Sequence, residues 1–582
     1  MASQSGDKSA VIRPRAMLVA AILLLGFAGV GVRLVYLQVL KHQTLYAKAI
    51  RQQQEIVELP PKRGAITDRN GRELAVSIDT DSLYAVPADV EDPKQLAGKL
   101  APALGQDRKA VEAKLTGKKR FVWLAKKVTP DVPAKVAAAG DFRDVLGWLP
   151  DSRRYYPKKE LASHVLGFVG SENKGLEGIE AAYENYVGGI AGKAVTERDG
   201  TGKEVLAVDE GKNAPKPGYN LTLTIDEKIQ YIVEKELDDV MAKNSPLSAT
   251  AIVMDPKTGE ILALANRPGY NPNNLKGVSP AKWRDRAVTD LYEPGSTFKI
   301  VTAAAALEEG VVKPTDIIDC GNGEIEVSGR VIHDAHKEGG RKTFAEVIQK
   351  SSNVGTIKVA MKLGQARLYK YATGFGFGRK TGVDLPGEVS GTLRELKYWS
   401  GMSLASVAIG QEVNVTAVQM LSALNCIANG GYYVKPYIVS GIKSDDGESL
   451  NRPEREAPRQ VVSKATAAKL AAILSNVVED GGTAVEARIR GWQVAGKTGT
   501  AQKFDPGIRR YSREKYIGSF VGFAPAEDPR ISAIVVVNEP RGQYYGGLVA
   551  APAIKNIVEK TLTYMRVSSR LPDQTILVET GR

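Results

Sequence analysis

The longest apolar run in this chain extends from Ala16 to Val32 and, after Arg33, resumes from Leu34 to Leu40. As a helix, residues 16–40 would measure about 37 Å at 1.5 Å per residue, enough to cross a hydrocarbon core of about 30 Å with some tilt. Arg33 would then snorkel towards one face. The alternatives are a cleaved signal peptide and a buried core helix. The run is long for a signal peptide and lacks an A-x-A site, which favours an uncleaved anchor. Lys8, Arg13 and Arg15 precede the run and Arg33, Lys41, Lys48 and Arg51 follow, so the positive-inside rule leaves the orientation open. No second run of comparable length follows, which predicts a single-pass protein with everything after residue 40 on one side of the bilayer.

Beyond the anchor the apolar positions come in shorter periodic groups. Asn70-Gly71, set between the apolar ends of Ile66–Val76, predicts a tight hairpin, and helical spacing follows around 92–116 and 130–139. Pro215 and Pro217 precede Leu221–Asp226, a strand pattern ending at a helix cap, and a domain junction is placed there. Ala249–Met254 and Glu260–Ala265 flank the turn Asp255–Gly259 as a hairpin, as do Tyr516–Phe523 and Ile531–Val537 near the end. Between them, Thr416 heads Ala417–Ala428 with Gln419 three residues on and Asn429-Gly430 behind, a capping box and a C-terminal stop. Antiparallel strands with a helical middle predict the α+β class. The resulting division is a short tail over 1–15, a transmembrane helix over 16–40, a mixed region over 41–215, a second folded region over 216–566 and a polar tail over 567–582.

At 582 residues, 43% hydrophobic and 25% charged, the chain has the composition of a folded protein with at least two domains. Cys320 and Cys426 are too few for a disulfide framework or a four-thiolate metal site. The net charge of +13 brings no nucleic-acid motif with it, so a basic surface near anionic lipid is the better account.

Chemistry enters at Glu293-Pro294-Gly295-Ser296-Thr297-Phe298-Lys299, a turn that opens a helix apolar nearly all round. Ser296 and Lys299 stand one turn apart on the same face, and burial lowers the pKa of an ammonium, so Lys299 is suited to take the Ser296 proton. The spacing alone is weak, because S-x-x-K also begins at Ser5, Ser171, Ser279, Ser440 and Ser512, none of which opens a buried helix. A capping serine with a snorkelling lysine is the plain alternative. Two further elements follow: Ser351-Ser352-Asn353, between a helix ending near Gln349 and one starting near Thr356, and Lys497-Thr498-Gly499-Thr500. Lys-Thr-Gly also occurs at Lys257 and Lys380, but only Lys497 precedes the terminal pair of strands. His333-Asp334-Ala335-His336 suggests a metal pair or a triad fragment, but no third ligand or G-x-S-x-G elbow accompanies it, and no metal is expected.

In this order, Ser296-x-x-Lys299, Ser351-x-Asn353 and Lys497-Thr498-Gly499-Thr500 resemble the penicillin-recognising serine transpeptidases and serine β-lactamases. The setting narrows the resemblance to class B penicillin-binding proteins: Glu-Pro-Gly-Ser before Ser296, the Arg63-Gly64-x-Ile66-x-Asp68-Arg69-Asn70-Gly71 segment, and Gly175-Leu176-Glu177-Gly178-Ile179-Glu180. The Ser-Ser-Asn form, the modest length and the lack of C-terminal add-on domains are similar to the division-septum enzymes.

The resemblance implies an elongated mixed α/β pedestal over 41–215, akin to a dimerisation domain, and a penicillin-binding transpeptidase domain over 216–566. The latter would be an antiparallel sheet flanked by helices, β-lactamase-like. It implies acyl transfer without a cofactor, Ser296 attacking the penultimate D-alanine carbonyl of a stem peptide ending in D-Ala-D-Ala, and β-lactams acylating the same serine. Lys299 would be the base, Ser351 the proton relay and Asn353 a holder of the substrate amide. Lys497, Thr498 and Thr500 would attract the terminal carboxylate, and Lys497 would keep Lys299 uncharged by repulsion. The backbone N–H groups of Ser296 and Thr500 would form the oxyanion hole, with Gly499 allowing close approach of the strand. The implied location is the inner membrane with the catalytic domain periplasmic, and the implied partners are a SEDS-family glycosyltransferase and other divisome proteins. A carboxypeptidase of the same fold and a catalytically silent scaffold or β-lactam sensor are the alternatives.

Overall fold

The computed structural model describes residues 9–43, 45, 56–117, 121–198, 204–208, 214–335, 339–450, 456–505, 507 and 510–569. Helix α1 (Ser9–Val35) continues as a π-helical turn over Tyr36–Leu40. Its stretch Ala16–Leu40 has the length and composition to cross a membrane, and none of it is buried against the rest of the chain. Arg33 does not stand alone there, since its guanidinium lies 5.6 Å from the centre of the Tyr36 ring.

Contact density divides the chain into two units, each assembled from separate stretches of sequence. The smaller takes residues 1–61, 79–152 and 190–216. Its helices Pro93–Leu104 and Arg108–Leu115 begin at Asp92 and Asp107, whose carboxylates accept the first free backbone N–H groups. Val132–Ala139 is the third helix, so the helical spacing around 92–116 and 130–139 is realised. Leu96, Leu100, Val111 and Leu115 bury themselves with Leu83 and Leu124 from strand segments of the same unit, the amphipathic faces closing one core. A three-stranded antiparallel sheet joins Ile56–Leu59, Gly192–Arg198 and Glu204–Val208.

The larger unit takes residues 62–78, 153–189 and 217–582. Ile66 pairs with Ala75 across Asn70-Gly71, the hairpin its sequence predicts, and Gly71 supplies the left-handed residue of the turn at φ 81°. Helix α2 (Glu227–Asn244) starts at Asp226, whose carboxylate caps Lys228 and Ile229. The main sheet is built from β1 (Ser248–Met254), β2 (Ile261–Arg267), β3 (Ala495–Asp505), β4 (Arg510–Ala524) and β5 (Ile531–Asn538), antiparallel throughout, in the order β2-β1-β5-β4-β3. Both expected hairpins, β1–β2 and β4–β5, are present. Every residue of β1 is buried, so helices cover both faces. Ser532 of β5 donates to Asn425 Oδ1 (2.7 Å) on the capped helix Ala417–Ala428, and the alternate residues Ala533, Val535 and Val537 face the other layer. The Thr416/Gln419 capping box forms as expected. The α+β class with a sheet flanked by helices therefore holds.

Between β2 and β3 lie helix α3 (Lys299–Glu308), helix α4 (Phe344–Gln349) and helix α5 (Asn353–Leu363). From Lys299 to Leu307 every residue of α3 is buried. Helix α5 begins at Asn353 rather than near Thr356, because Ser352 accepts the Gly355 N–H at 3.0 Å and so caps the helix three residues earlier.

Candidate active site

Ser296 sits in a 3-10 turn over Gly295–Phe298 that leads directly into α3, so the turn ahead of the helix is 3-10 and contains Ser296, while Lys299 is the first residue of the α-helix. In a 3-10 turn side chains three apart eclipse one another, so Ser296 and Lys299 keep their shared face. The turn is clamped from two sides. Gly295 N–H donates to Gly410 O (3.0 Å), and a Cβ on Gly410 would fall 2.1 Å from Gly295 O. A Cβ on Gly499 would fall 2.9 Å from Pro294 O and 3.0 Å from Thr297, so a bare strand backbone is required beside the nucleophile.

Lys299 is fully buried. Its Nζ reaches Ser351 O and Asn353 Oδ1, both at 2.7 Å, and Ser351 Oγ at 3.3 Å. Burial, then repulsion from Lys497, drives its pKa well below the ordinary lysine value, against the pull of Asp334. As an amine it has two N–H bonds, which the two carbonyl oxygens take. The contact with Ser351 Oγ is the longest of the three, and the hydroxyl oxygen accepts from Nζ once the amine is protonated.

Ser351 is held at φ 59°, a left-handed conformation that a serine rarely adopts. The loop that imposes it is fixed by Asp334, which accepts from Ser352 Oγ (2.9 Å) and from the N–H groups of Asn353 (2.5 Å) and Val354 (3.0 Å). Asp334 is thus the anion at the N-terminus of α5, where the helix dipole favours it. Asn353 Nδ2 donates to His333 O (2.8 Å), so its amide bridges Lys299 and the strand Arg330–His333. His336 lies outside the described residues, and among them no cluster of three potential metal ligands occurs.

Alternation along β3 separates the residues that sequence reading grouped around a carboxylate. Lys497 and Gly499 share the face that meets the nucleophile turn, whereas Thr498 and Thr500 turn to the opposite side, bonding Thr483 Oγ1 (2.9 Å) and Gly546 N–H (3.0 Å). Lys497 is fully buried, its Nζ has no hydrogen-bond partner among the described residues, and burial lowers its pKa from 10.5 to about 7. A cavity of about 650 Å³ is lined by Ser296, Ser351, Asn353, Thr498 and Thr500, but not by Lys299 or Lys497. The two lysines stand behind its wall. The other Lys-Thr-Gly lysines are elsewhere: Lys257 pairs with Asp528 at the surface, and Lys380 is exposed.

Sequence reading passed over three lining residues. Asp334 was weighed only as part of a histidine pair, and nothing in the spacing signals a cap reaching 18 residues along the chain to Ser352. Thr483 carries no motif at all. Glu293 was visible in the Glu-Pro-Gly-Ser run, but its bonds to Glu412 N–H and the Tyr511 hydroxyl join segments more than a hundred residues away.

A family model described as the penicillin binding protein transpeptidase domain matches residues 249–559, and one described as the penicillin-binding protein dimerisation domain matches residues 58–223. Stage V sporulation protein D of Bacillus subtilis is 36% identical over 571 residues, covering 96% of this chain and 87% of that protein. Peptidoglycan D,D-transpeptidase FtsI of Escherichia coli is 33% identical over 566 residues, covering 95% and 92%. Among solved structures, penicillin binding protein 3 of Mycobacterium tuberculosis complexed with aztreonam superposes with a TM-score of 0.71 at 28% identity, over 89% of this chain and 99% of that one. With one model matching more than half of the chain, two relatives above 30% identity along nearly all of it, and the three motifs gathered at one cavity, the chain belongs to the class B penicillin-binding proteins and is a serine-type D,D-transpeptidase.

Proposed function

We propose that this protein cross-links peptidoglycan stem peptides at the division septum, anchored in the cytoplasmic membrane by α1 with its catalytic unit on the periplasmic side. The observation that carries the chemistry is the Lys299 environment: a buried amine bonded to Ser351 and Asn353 and repelled by a second buried lysine. Ser296 Oγ attacks the carbonyl carbon of the penultimate D-alanine while Lys299 takes its proton. The backbone N–H groups of Ser296 and Thr500 receive the oxyanion, each worth about 3–4 kcal/mol. Ser351 passes a proton from Lys299 to the departing D-alanine nitrogen, leaving an ester on Ser296. Asn353 holds the substrate amide with its remaining N–H. Thr498 and Thr500 offer hydroxyls to the terminal carboxylate, and Lys497, titrating near 7, adds a partial positive charge behind them. An amine from a neighbouring stem then resolves the ester. β-Lactams acylate the same serine and stop there. A SEDS-family polymerase is the partner that the membrane helix and the smaller unit would serve.

The sporulation relative favours a second reading, the same chemistry applied to a spore wall. Depleting the protein in dividing cells separates the two: filamentation supports the septal role, and normal division with defective spores supports the other. For the chemistry, the full-length protein in detergent is exposed to benzylpenicillin and mapped by mass spectrometry. One adduct on Ser296, lost in Ser296→Ala, is expected. An adduct elsewhere, or none, would refute the mechanism.

A further inference from the structure

Among the described residues three carboxylates line the cavity: Glu293, Asp334 and Glu486. Asp334 is consumed by the α5 cap, and Glu486 is exposed, where its charge is screened. Glu293 differs from both. It is half-buried, three residues before Ser296, and so within about 11 Å of it even with the backbone at full stretch. Its two hydrogen bonds, from Glu412 N–H (2.9 Å) and the Tyr511 hydroxyl (3.0 Å), both end on Oε1. Among the described residues Oε2 receives none. The carboxylate is therefore fixed in position by one oxygen and has a second one left for a ligand. Two cations of the cavity wall among the described residues, Lys342 and Lys350, belong to other segments, at the strand Arg341–Thr343 and the end of α4.

We infer that Glu293 is a specificity-determining residue for the second substrate, its free carboxylate oxygen receiving the ammonium group of the acceptor and holding that nitrogen beside the Ser296 ester. The inference rests on the transpeptidase reading and adds to it the means by which an amine outcompetes water. A docked cation raises the local amine concentration at the ester, and water gains nothing from the same charge. In the transfer, the extra proton of the ammonium leaves to solvent as the amine moves off Glu293. The nitrogen forms a bond to the ester carbon, the carbon–Oγ bond breaks, and one proton of the attacking nitrogen returns to Ser296 Oγ through Lys299.

The test uses the full-length protein, a D-alanyl thioester donor and a stem tetrapeptide bearing a side-chain amine, and measures the ratio of aminolysis to hydrolysis of the acyl-enzyme. That ratio is independent of how fast the ester forms. Glu293→Gln keeps an oxygen for Glu412 and Tyr511 while removing the charge, and is expected to lower the ratio about tenfold, with Glu293→Asp recovering part of it. A ratio unchanged in Glu293→Gln overturns the inference. A second measurement needs no variant: the trimethylammonium analogue of the acceptor, which cannot attack, should suppress aminolysis and spare hydrolysis in the wild-type protein. Equal suppression of both, or of neither, overturns it. Absence of any acyl-enzyme in the wild type would instead remove the transpeptidase reading itself.

Discussion

Arg63, Arg154 and Glu180 are buried, as Lys299 and Lys497 are, yet the two groups of charge in the larger unit are handled in opposite ways. Around Glu180 every charge is answered: Arg154 Nε meets Oε1 at 2.6 Å, Arg63 Nη2 meets Oε2 at 2.7 Å, and Arg63 also reaches Glu184 at 2.7 Å. Burial pushes the Glu180 carboxyl up, but Arg154 and Arg63 outweigh it and hold it below the ordinary range. Among the described residues neither lysine has an ion pair: Lys299 Nζ meets only uncharged oxygens, and burial, joined at Lys299 by repulsion from Lys497, lowers both pKa values. The first arrangement ties residues 63, 154 and 180 of one unit together. The second spends stability to keep a neutral amine one turn from a serine.

The comparison breaks most easily at Lys299. Lys299→Met should slow penicillin acylation of Ser296 by about 10²–10⁴-fold, the usual worth of a positioned base, as read by stopped-flow or gel-based labelling. Next in size, Glu180→Ala leaves the buried Arg154 guanidinium without a carboxylate and Arg63 with Glu184 alone, and should lower unfolding free energy by about 3–5 kcal/mol in a denaturant titration. Lys497→Met sharpens the contrast because its two effects have opposite signs. Removing a buried cation with no partner among the described residues should stabilise the fold by about 1–3 kcal/mol, while acylation slows and its acidic limb moves to higher pH, since repulsion of Lys299 is gone.

The pH dependence of stability distinguishes the groups further. Lys497 has a folded pKa of about 7 against 10.5 when unfolded, so between those values the unfolded chain holds the extra proton. Stability should therefore rise with pH there, by up to about 1.4 kcal/mol per unit, and Lys497→Met should flatten the rise between pH 7 and 9. Glu180 works in the other direction. Its folded pKa is depressed, so its stabilisation is present above the ordinary carboxylate range and is lost as pH falls through the folded value. The smallest effect belongs to Asp334→Asn, which keeps an oxygen for the α5 cap but removes an anion that favours the Lys299 ammonium. The acidic limb of acylation should move to lower pH.

What could be read from the sequence was local. Asn70-Gly71, the Asp255–Gly259 turn and the Thr416/Gln419 box each specify a hairpin or a cap within a dozen residues, and each appears as expected. The motif residues were legible as an ordered set of three, since each spacing alone recurs elsewhere in the chain, and Lys299 because a lysine inside an apolar helix is conspicuous. Long-range relations were not. Nothing near Ile531 announces that β5 will pair with β1, some 280 residues earlier, to centre the sheet. Strand alternation was available for 497–500, yet the side on which the nucleophile turn packs depends on that same distant pairing. Asp334 illustrates the point: its function is set by where Ser352 arrives, not by its neighbours His333 and Ala335.

The claim underneath all of this is that Lys299 is an uncharged amine when Ser296 reacts. The rate of Ser296 acylation by benzylpenicillin, measured from pH 5 to 11 on the full-length protein, tests it directly. The account predicts a rise through one acidic limb that levels off well below 10.5. A rate still climbing at 10.5, or flat across the whole range, would contradict it.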